Sequence, residues 1–293
     1  MTSTTAATTT TATTATARED VATLAERAHR VRERVLEMGA GETGTHLGGS
    51  LSAADLLTVL YGSVLRVDPD RPDWPDRDRF VLSKGHAGAA LYAVLAEYGF
   101  IPSEECADYA KAGSRLAAHP LRRVEGVEFP TGSLGHGLSL AAGAALAARR
   151  LGRPSRAFAL LGDGELQEGS VWEAVMGAAH HKLDNLVAVV DRNGWQISGT
   201  TEECLSLEPL ADRWRSFGWA VREVDGHDLP ALLAVFDGLP DPEGRPTVVL
   251  ARTVKGRGVP MLEDRKKSHF VKLTPKLHVR ALAGLRNRRE RQQ

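Results

Sequence analysis

Apolar and polar positions follow two different rhythms along the chain. Over residues 21 to 38, apolar side chains recur at helical spacing among Arg and Glu residues, which predicts an amphipathic helix. From residue 156 the pattern changes to continuous apolar runs, RAFALLG and NLVAVV, separated by a stretch with helical spacing. Runs without in/out alternation are typical of strands buried on both faces of a parallel sheet. The pattern therefore predicts an α/β fold with a mostly parallel sheet and helices on both faces.

The same reasoning places further elements and domain limits. Ser52 is a plausible N-cap for a helix that follows the Gly-rich stretch GETGTHLGGS and ends near residue 65. Other predicted elements are strands at 80–83, 219–226 and 246–256, and helices at 85–99, 138–150 and 229–239. We expect one domain over residues 19–275, since no repeat or linker interrupts it. Residues 1–18, rich in Thr and Ala, are expected to be disordered, and residues 276–293 form a charged C-terminal segment.

Composition excludes several classes of function. The 37 Lys and Arg residues equal the 37 Asp and Glu residues, so no net field favours nucleic acid or an anionic membrane. No apolar run approaches the roughly 18 residues of a membrane span, and the N-terminus has neither the basic nor the apolar region of a secretory signal. Cys106 and Cys204 lack CxxC spacing, which is typical of free thiols in a reducing compartment. We therefore expect a cytoplasmic location.

Polar residues follow two of the predicted buried strands. Asp163 stands between Gly162 and Gly164 after the first strand, and Asn193 follows the second. Ligands of open α/β sheets bind beyond the carboxyl ends of the strands, where these two side chains would meet. A carboxylate and an amide oxygen suit Mg²⁺ better than zinc, and glycine lets backbone N–H groups approach a phosphate. Each pair alone would be an ordinary turn. Together they predict a magnesium–diphosphate site.

The wider motifs carry a family resemblance. GDGELQEGSVWEA and, thirty positions after its Asp163, the Asn193 of DRNGWQIS resemble the GDG…N thiamine-diphosphate motif of transketolases. GTHLGGSLSAADLL, DRFVLSKGHAGAALYAVL and TGSLGHGLSLAAGAALA resemble three further transketolase segments, so the likeness extends over roughly residues 20–275. It implies a thiamine-diphosphate-binding fold, thiamine diphosphate and Mg²⁺ as cofactors, and transfer of a two-carbon ketol unit from a ketose or its phosphate to an aldose.

The resemblance also implies roles for individual residues. The Mg²⁺ ligands would be Asp163, Asn193 and the backbone carbonyl of Trp195. Other implied cofactor contacts are Gly132, Leu134, Gly135, Gly137, Gly164 and Glu168, and the implied catalytic histidines are His46, His86, His119 and His269. Glu168 and Glu173 match acidic positions that link paired sites across the family's dimer, although carboxylates at a helix start are also ordinary. Phe270 and Lys84 depart from the family pattern, which has Gly and Asn there.

Full-length transketolases continue into a pyrimidine-binding domain that holds the glutamate activating the cofactor. This chain resembles the N-terminal subunit of a split transketolase, so we expect it to work only with a second subunit that carries that domain, in an α2β2 heterotetramer. An α subunit of a 2-oxo acid dehydrogenase, a 1-deoxyxylulose-phosphate-synthase-like enzyme and a non-catalytic paralogue are the alternatives. A dinucleotide site is disfavoured, because TGSLGHG is one residue short of the TGxxxGxG fingerprint and follows no buried strand.

Overall fold

The computed structural model describes residues 18–290, so the predicted disordered tail lies, except for Arg18, outside the described residues. Five parallel strands form one sheet in the order β1-β2-β3-β5-β4. The strands are β1 Arg79–Leu82, β2 Ala157–Gly162, β3 Leu186–Arg192, β4 Ala220–Asp225 and β5 Thr247–Arg252. β2 is buried along its whole length, and β3 is buried except at its last residue. The predicted parallel α/β sheet is therefore confirmed.

Helices cover both faces of the sheet. They are α1 Val21–Gly39, α2 Leu47–Val59, α3 Gly88–Glu97, α4 Gly137–Arg150, α5 Gly169–His180, α6 Thr201–Cys204, α7 Leu210–Ser216, α8 Leu229–Asp237 and α9 Pro275–Glu290. Alternate residues of each strand point to opposite faces. Phe158 and Leu160 of β2 join the core beneath α1, α2, α3 and α8, whereas Ala159 and Leu161 join the core beneath α4, α5 and α7. Two apolar cores thus enclose the sheet.

The start of α2 differs from the sequence-based expectation. The helix begins at Leu47, so Ser52 lies inside it and the N-cap prediction for Ser52 is wrong. A Cβ at Gly48 would stand 2.8 Å from the carbonyl oxygen of Ser268, which shows that this glycine serves close packing and not a turn. The Ser52 hydroxyl instead donates a hydrogen bond of 2.6 Å to Asp191.

The structure also bears on two expectations from composition, one about membrane-spanning stretches and one about the charged C-terminal segment. The helical stretch Leu47–Val64 reaches a mean hydropathy of 1.2 over 18 residues, so the expectation that no apolar stretch has the length of a membrane span was wrong. Because 89% of this stretch is buried inside the protein, its packing in the core accounts for its apolar character. The charged C-terminal segment forms α9, which packs on α1 and buries Ala281 and Leu285.

All five strands run in the same direction, so their carboxyl ends share one edge of the sheet. Ser83 and Lys84 follow β1, Asp163 follows β2, Asp191 lies at the end of β3, and Thr253 follows β5. Gly162 pairs with Asp191 in the ladder between β2 and β3, which sets the two polar strand ends side by side. The fold thereby brings these polar and charged side chains together at one edge of the sheet.

Candidate functional site

Asp163 spans the gap between the two central strand ends. Its side chain is only 2% exposed, and its two carboxylate oxygens accept hydrogen bonds from the backbone N–H groups of Gly164 (2.8 Å) and Gly194 (2.5 Å). The structure therefore brings Asp163 against the loop that carries Asn193. In that loop Gly194 has a φ of +78°, a left-handed conformation that glycine adopts without strain. The Oδ1 atom of Asn193 accepts a hydrogen bond of 3.1 Å from the N–H of Trp195.

The electrostatics at Asp163 suit a cation. Burial, with a smaller contribution from the nearby Asp191, raises the pKa of the Asp163 carboxyl to about 6, although the two backbone N–H groups oppose the shift. A bound cation would offset the free-energy cost of burying the ionised carboxylate. Between residues 18 and 290 no three or more His, Cys, Asp or Glu side chains are grouped to hold a metal ion. A cation here would rest on one carboxylate, the Asn193 amide oxygen and backbone carbonyls, a set of oxygens that matches Mg²⁺.

Glu165 organises the loop of residues 132–137, and the sequence reasoning did not identify it. Its carboxylate accepts hydrogen bonds from the Ser83 hydroxyl and from the N–H groups of Gly135 (2.9 Å) and Gly162 (3.0 Å). A Cβ at Gly137 would overlap the side chain of Ser83, so only glycine allows this approach. One buried carboxylate thus joins the ends of β1 and β2 to the predicted cofactor loop. The available signal was its place in GDGE, directly after a buried strand.

The other predicted cofactor contacts lie around this loop. Glu168 is exposed and makes no capping hydrogen bond at the start of α5, but a Cβ at Gly135 would come within 2.7 Å of the Glu168 Cβ. Gly132 lies beside the His119 ring, and Leu134 is half-buried. Glu173 is exposed on α5. The structure places all of these residues near the loop or on the adjoining helix, and their contact with a cofactor stays a prediction.

Three of the four predicted catalytic histidines surround the fourth, His46. The centre of its ring lies 5.3 Å from that of His86, 6.1 Å from that of His119 and 5.3 Å from that of His269. These residues come from the start of α2, the turn after β1, the loop before Pro120 and the segment that follows β5. The structure thus brings together four side chains that lie up to 223 positions apart (269 − 46) in the sequence.

Three histidines of the cluster, His46, His86 and His269, have a lowered pKa. Burial, together with nearby cationic groups, Lys255 among them, lowers the pKa of His46 and of His269 to about 4. Burial, with a smaller contribution from Lys84, also holds the pKa of His86 well below its usual range. Neutral imidazoles can accept protons or hydrogen bonds from a substrate. The buried Nδ1 atom of His46 has no hydrogen-bond partner in the described part of the chain.

The lowered pKa values predict a pH titration. In imidazole ¹⁵N NMR spectra of the labelled chain, we expect His46 and His269 to remain neutral down to about pH 5, and His86 to become protonated only well below the usual range of a histidine. The unfolded chain binds protons on His46 and His269 between about pH 6.5 and 4 and the folded chain does not, so the free energy of unfolding should fall as the pH drops through that window. Single His→Gln variants assign the signals, and spectra in concentrated urea provide the control. A midpoint above pH 6 for any of the three would contradict the prediction.

A buried ion pair lies beneath the cluster. Lys84 is 1% exposed, and its Nζ donates to the Asp191 carboxylate (2.5 Å) and to the carbonyl oxygen of Gly49 (3.0 Å). Asp191 also accepts hydrogen bonds from the hydroxyls of Ser52 and Thr253. Although burial alone would raise the pKa of Asp191, the charge of Lys84 holds it below its usual value. The pair was missed because the sequence shows no relation between positions 84 and 191.

Lys255 and Phe270 border the histidines. The Nζ of Lys255 lies 3.3 Å from Nδ1 of His269, and burial together with the neighbouring Lys84 lowers the pKa of Lys255 to about 8. Phe270 is 52% exposed, and its ring centre lies 5.0 Å from that of His46, at nearly a right angle. An exposed phenyl ring therefore borders the open side of the cluster.

Buried polar atoms without partners lie around this edge of the sheet. Besides His46, the buried oxygens Oγ1 of Thr131 and Oε1 of Gln196 lack a hydrogen-bond partner among the described residues. Gln196 packs beside Gly164, since a Cβ at that glycine would lie 3.0 Å from the Gln196 Cβ. Buried polar atoms without partners are costly, and a polar ligand would satisfy them. Together with the oxygens near Asp163, these groups fit thiamine diphosphate with Mg²⁺.

Comparison with known proteins identifies the family of the chain. Residues 26–278 match the family model described as the transketolase thiamine diphosphate binding domain. The chain is 42% identical over 264 residues to the 6-deoxy-6-sulfo-D-fructose transketolase subunit SqwG of Clostridium sp. (strain MSTE9), covering 89% of this chain and 96% of that protein. It is 43% identical over 249 residues to one subunit of the apulose-4-phosphate transketolase of Phocaeicola vulgatus, covering 85% of this chain and 89% of that protein.

A comparison with solved structures also finds a transketolase. The fold matches the crystal structure of transketolase from Campylobacter jejuni with a TM-score of 0.85 and 31% sequence identity. The match covers 91% of this chain but 43% of that one. The chain therefore spans less than half of this solved transketolase, whereas it spans most of the two relatives that are named as subunits.

Proposed function

The chain belongs to the family of transketolase thiamine-diphosphate-binding domains, and from this we propose that it is one subunit of a two-chain transketolase. The enzyme would move a two-carbon ketol unit from a ketose or ketose phosphate to an aldose. The observation that carries this proposal is the convergence of four histidines on the strand edge where Asp163 meets the Asn193 loop. This arrangement puts proton acceptors beside a site suited to a diphosphate and a divalent cation.

Different residues of the chain would bind the metal ion, bind the diphosphate and position the cofactor loop. Asp163, the Asn193 amide oxygen and the carbonyl of Trp195 would hold Mg²⁺, and Gly164 would let the backbone approach the diphosphate. Thiamine diphosphate, when bound, supplies the electron sink needed to break a carbon–carbon bond of the ketose. Glu165, through its hydrogen bonds to Gly135 and Gly162, would keep the cofactor loop in place.

The histidines would bind the sugar substrate and accept protons from it. Because their pKa values are low, His46 and His269 are neutral at pH 7 and can take a proton from a sugar hydroxyl or accept its hydrogen bond. Lys255, beside His269, would favour the return of that proton once His269 becomes charged, because two neighbouring cations repel each other. Phe270 would restrict the size of a sugar at the open side of the cluster.

The partner, stoichiometry, metal and location belong to the same proposal. We propose a second subunit with the pyrimidine-binding domain, in an α2β2 assembly, and the naming of two relatives as subunits supports the need for a partner. Mg²⁺ is supported by the oxygen donors around Asp163. A cytoplasmic location is supported by Cys106 and Cys204, which are both free thiols.

The experiment that tests the function is reconstitution. We expect the purified chain alone, with thiamine diphosphate and Mg²⁺, to show negligible transfer of a two-carbon unit, because the cofactor-activating glutamate belongs to the partner. Co-production with a second chain that carries the pyrimidine-binding domain should restore transfer, measured by mass spectrometry on a panel of ¹³C-labelled ketoses with aldose acceptors. A His46→Ala chain in the same complex should bind the cofactor but lose most turnover.

Other outcomes would decide against the proposal. Robust turnover by the chain alone would remove the need for a partner. Activity of the complex on pyruvate or branched 2-oxo acids, without any on ketoses, would favour the 2-oxo acid dehydrogenase alternative. Failure of the complex to bind the cofactor would favour a non-catalytic role, against which the complete set of Asp163, Asn193 and four histidines argues.

A further inference from the structure

A cavity of about 550 Å³ opens between α1, α9 and the loops after β4 and β5. None of its lining residues belongs to the candidate site described above. We propose that this cavity is a second binding site, for a small molecule that carries a phosphate or diphosphate group. The inference rests on the arrangement of arginines in the cavity and does not depend on the transketolase proposal.

The first observation is an arginine without a counterion. Four arginines line the cavity, and three of them are paired: Arg32 with Asp55, Arg288 with Glu263 and Arg289 with Glu26. The half-buried guanidinium of Arg257 makes no hydrogen bond or ion pair with any group of residues 18–290 that the structure describes. Burial, and then the nearby Arg288, lower the pKa of Arg257, which indicates that its charge is poorly compensated. The cavity therefore carries an excess of positive charge.

The second observation concerns the carboxylate nearest to this excess. The two oxygens of Asp55 accept hydrogen bonds from both Nη atoms of Arg32 (2.9 and 2.5 Å) and from Nδ1 of His227 (2.7 Å). The Nε2 atom of His227 accepts from the N–H of Val254, which orients the ring and leaves Nδ1 as the donor. Asp55 thus has three donors of its own, and among the described residues it makes no ion pair with Arg257.

The third observation is a buried donor of Arg32, a residue that lines the cavity. Arg32 is 7% exposed, and its Nε atom is buried without a hydrogen-bond partner among the described residues. The loop of Arg257 packs directly on this side chain, because a Cβ at Gly258 would lie 3.1 Å from Cδ of Arg32. Gly258 has a φ of +91°, so glycine is required both for the conformation and for the close approach. The fold therefore holds two guanidinium groups with unused donors beside one cavity.

Phosphate oxygens match these donors. Guanidinium groups are planar, stay charged at all physiological pH values and bind phosphate oxygens through paired hydrogen bonds. The volume lies within the range of small-molecule sites, and Leu229 and Leu285 provide an apolar wall for the rest of the ligand. A phosphorylated small molecule fits both the charged and the apolar parts of the cavity.

The test uses the full chain with inorganic phosphate and inorganic diphosphate as probes, in Mg²⁺-free buffer of constant ionic strength. Isothermal titration should show binding to the wild-type chain, and Arg257→Gln should weaken it at least ~10-fold, since a hydrogen bond to a charged group is lost. Arg257→Lys should retain part of the affinity. The matched control Arg150→Gln, an exposed arginine at the end of α4, should bind as the wild type does. Thermal unfolding of each variant checks its fold.

A second measurement needs no variant. Hydrogen–deuterium exchange of the wild-type chain should show that phosphate protects residues 256–258 more than residues 162–164 of the candidate cofactor site. The proposal is overturned if the wild type does not bind either probe, if Arg257→Gln binds as tightly as the wild type, or if protection appears only at residues 162–164. Loss of phosphate binding in an assembled two-subunit enzyme would also overturn it, because the cavity would then be a subunit contact.

Discussion

Replacing Asp163 with alanine is expected to abolish the binding of thiamine diphosphate with Mg²⁺. Asp163 is the one carboxylate that reaches both the Gly164 turn and the Gly194 loop, and no other carboxylate among the described residues accepts hydrogen bonds from both. Loss of groups that merely support a metal ligand costs about 10- to 100-fold in affinity, so loss of the ligand itself should cost at least ~100-fold. The expected result is a complete loss of cofactor-dependent heat at accessible concentrations.

Isothermal titration of thiamine diphosphate in the presence of Mg²⁺, with the chain alone and with its partner subunit, measures this effect. Asp212→Ala serves as the matched control, because Asp212 is an exposed carboxylate on α7 whose only ion pair in the described chain is with Arg215. We expect the control to bind as the wild type does. Unchanged cofactor affinity in Asp163→Ala would mean that the polar groups at the two strand ends are ordinary turns, and the proposed cofactor site would be wrong.

Replacing Lys84 with methionine is expected to cause the largest loss of stability. Lys84 and Asp191 form an ion pair with both side chains buried, at the point where α2 and strands β1, β3 and β5 meet. Methionine has a similar shape but no charge, so it would leave the Asp191 carboxylate buried without its counterion. Breaking such a pair from one side costs about 3–5 kcal/mol, because the remaining charge is neither hydrated nor paired.

Urea-induced unfolding measures the free energy of unfolding of each variant. Adding Asp191→Asn to Lys84→Met should recover a substantial part of the loss, because the asparagine is uncharged and can still accept hydrogen bonds from Ser52 and Thr253. Arg215→Met, which breaks the exposed pair with Asp212, should cost less than about 1 kcal/mol. A loss below ~1 kcal/mol for Lys84→Met, or no recovery in the double variant, would contradict the role assigned to this pair.

Much of the architecture could be predicted because it depends on neighbouring residues. Continuous apolar runs identified β2 and β3 as buried strands, and the structure confirms the parallel sheet with helices on both faces. The strand-end position of Asp163 followed from the same pattern. Local reading failed at α2, where glycines predicted a loop. Gly48 instead lies inside the helix and packs against Ser268, and only the folded chain contains that contact.

At the candidate site, too, some residues could be predicted from the sequence and others could not. Motifs identified Asp163, Asn193 and the four histidines, but they did not identify Glu165 or the pair of Lys84 with Asp191. The hydrogen bonds of Asp191 join it to residues 107 and 139 positions away, and no periodicity extends over such a separation. The cationic cavity around Arg257 likewise combines α1, α9 and two loops.

The sequence by itself determined which segments are buried strands and which polar residues end them, because these features follow from the order of adjacent side chains. Only the tertiary structure decided which polar groups meet. The strand order β1-β2-β3-β5-β4 sets Lys84, Asp163 and Asp191 along one edge, and the packing of α2 against that edge adds His46. That order results from the burial of both faces of the sheet at once, which is a property of the whole chain and not of any one segment.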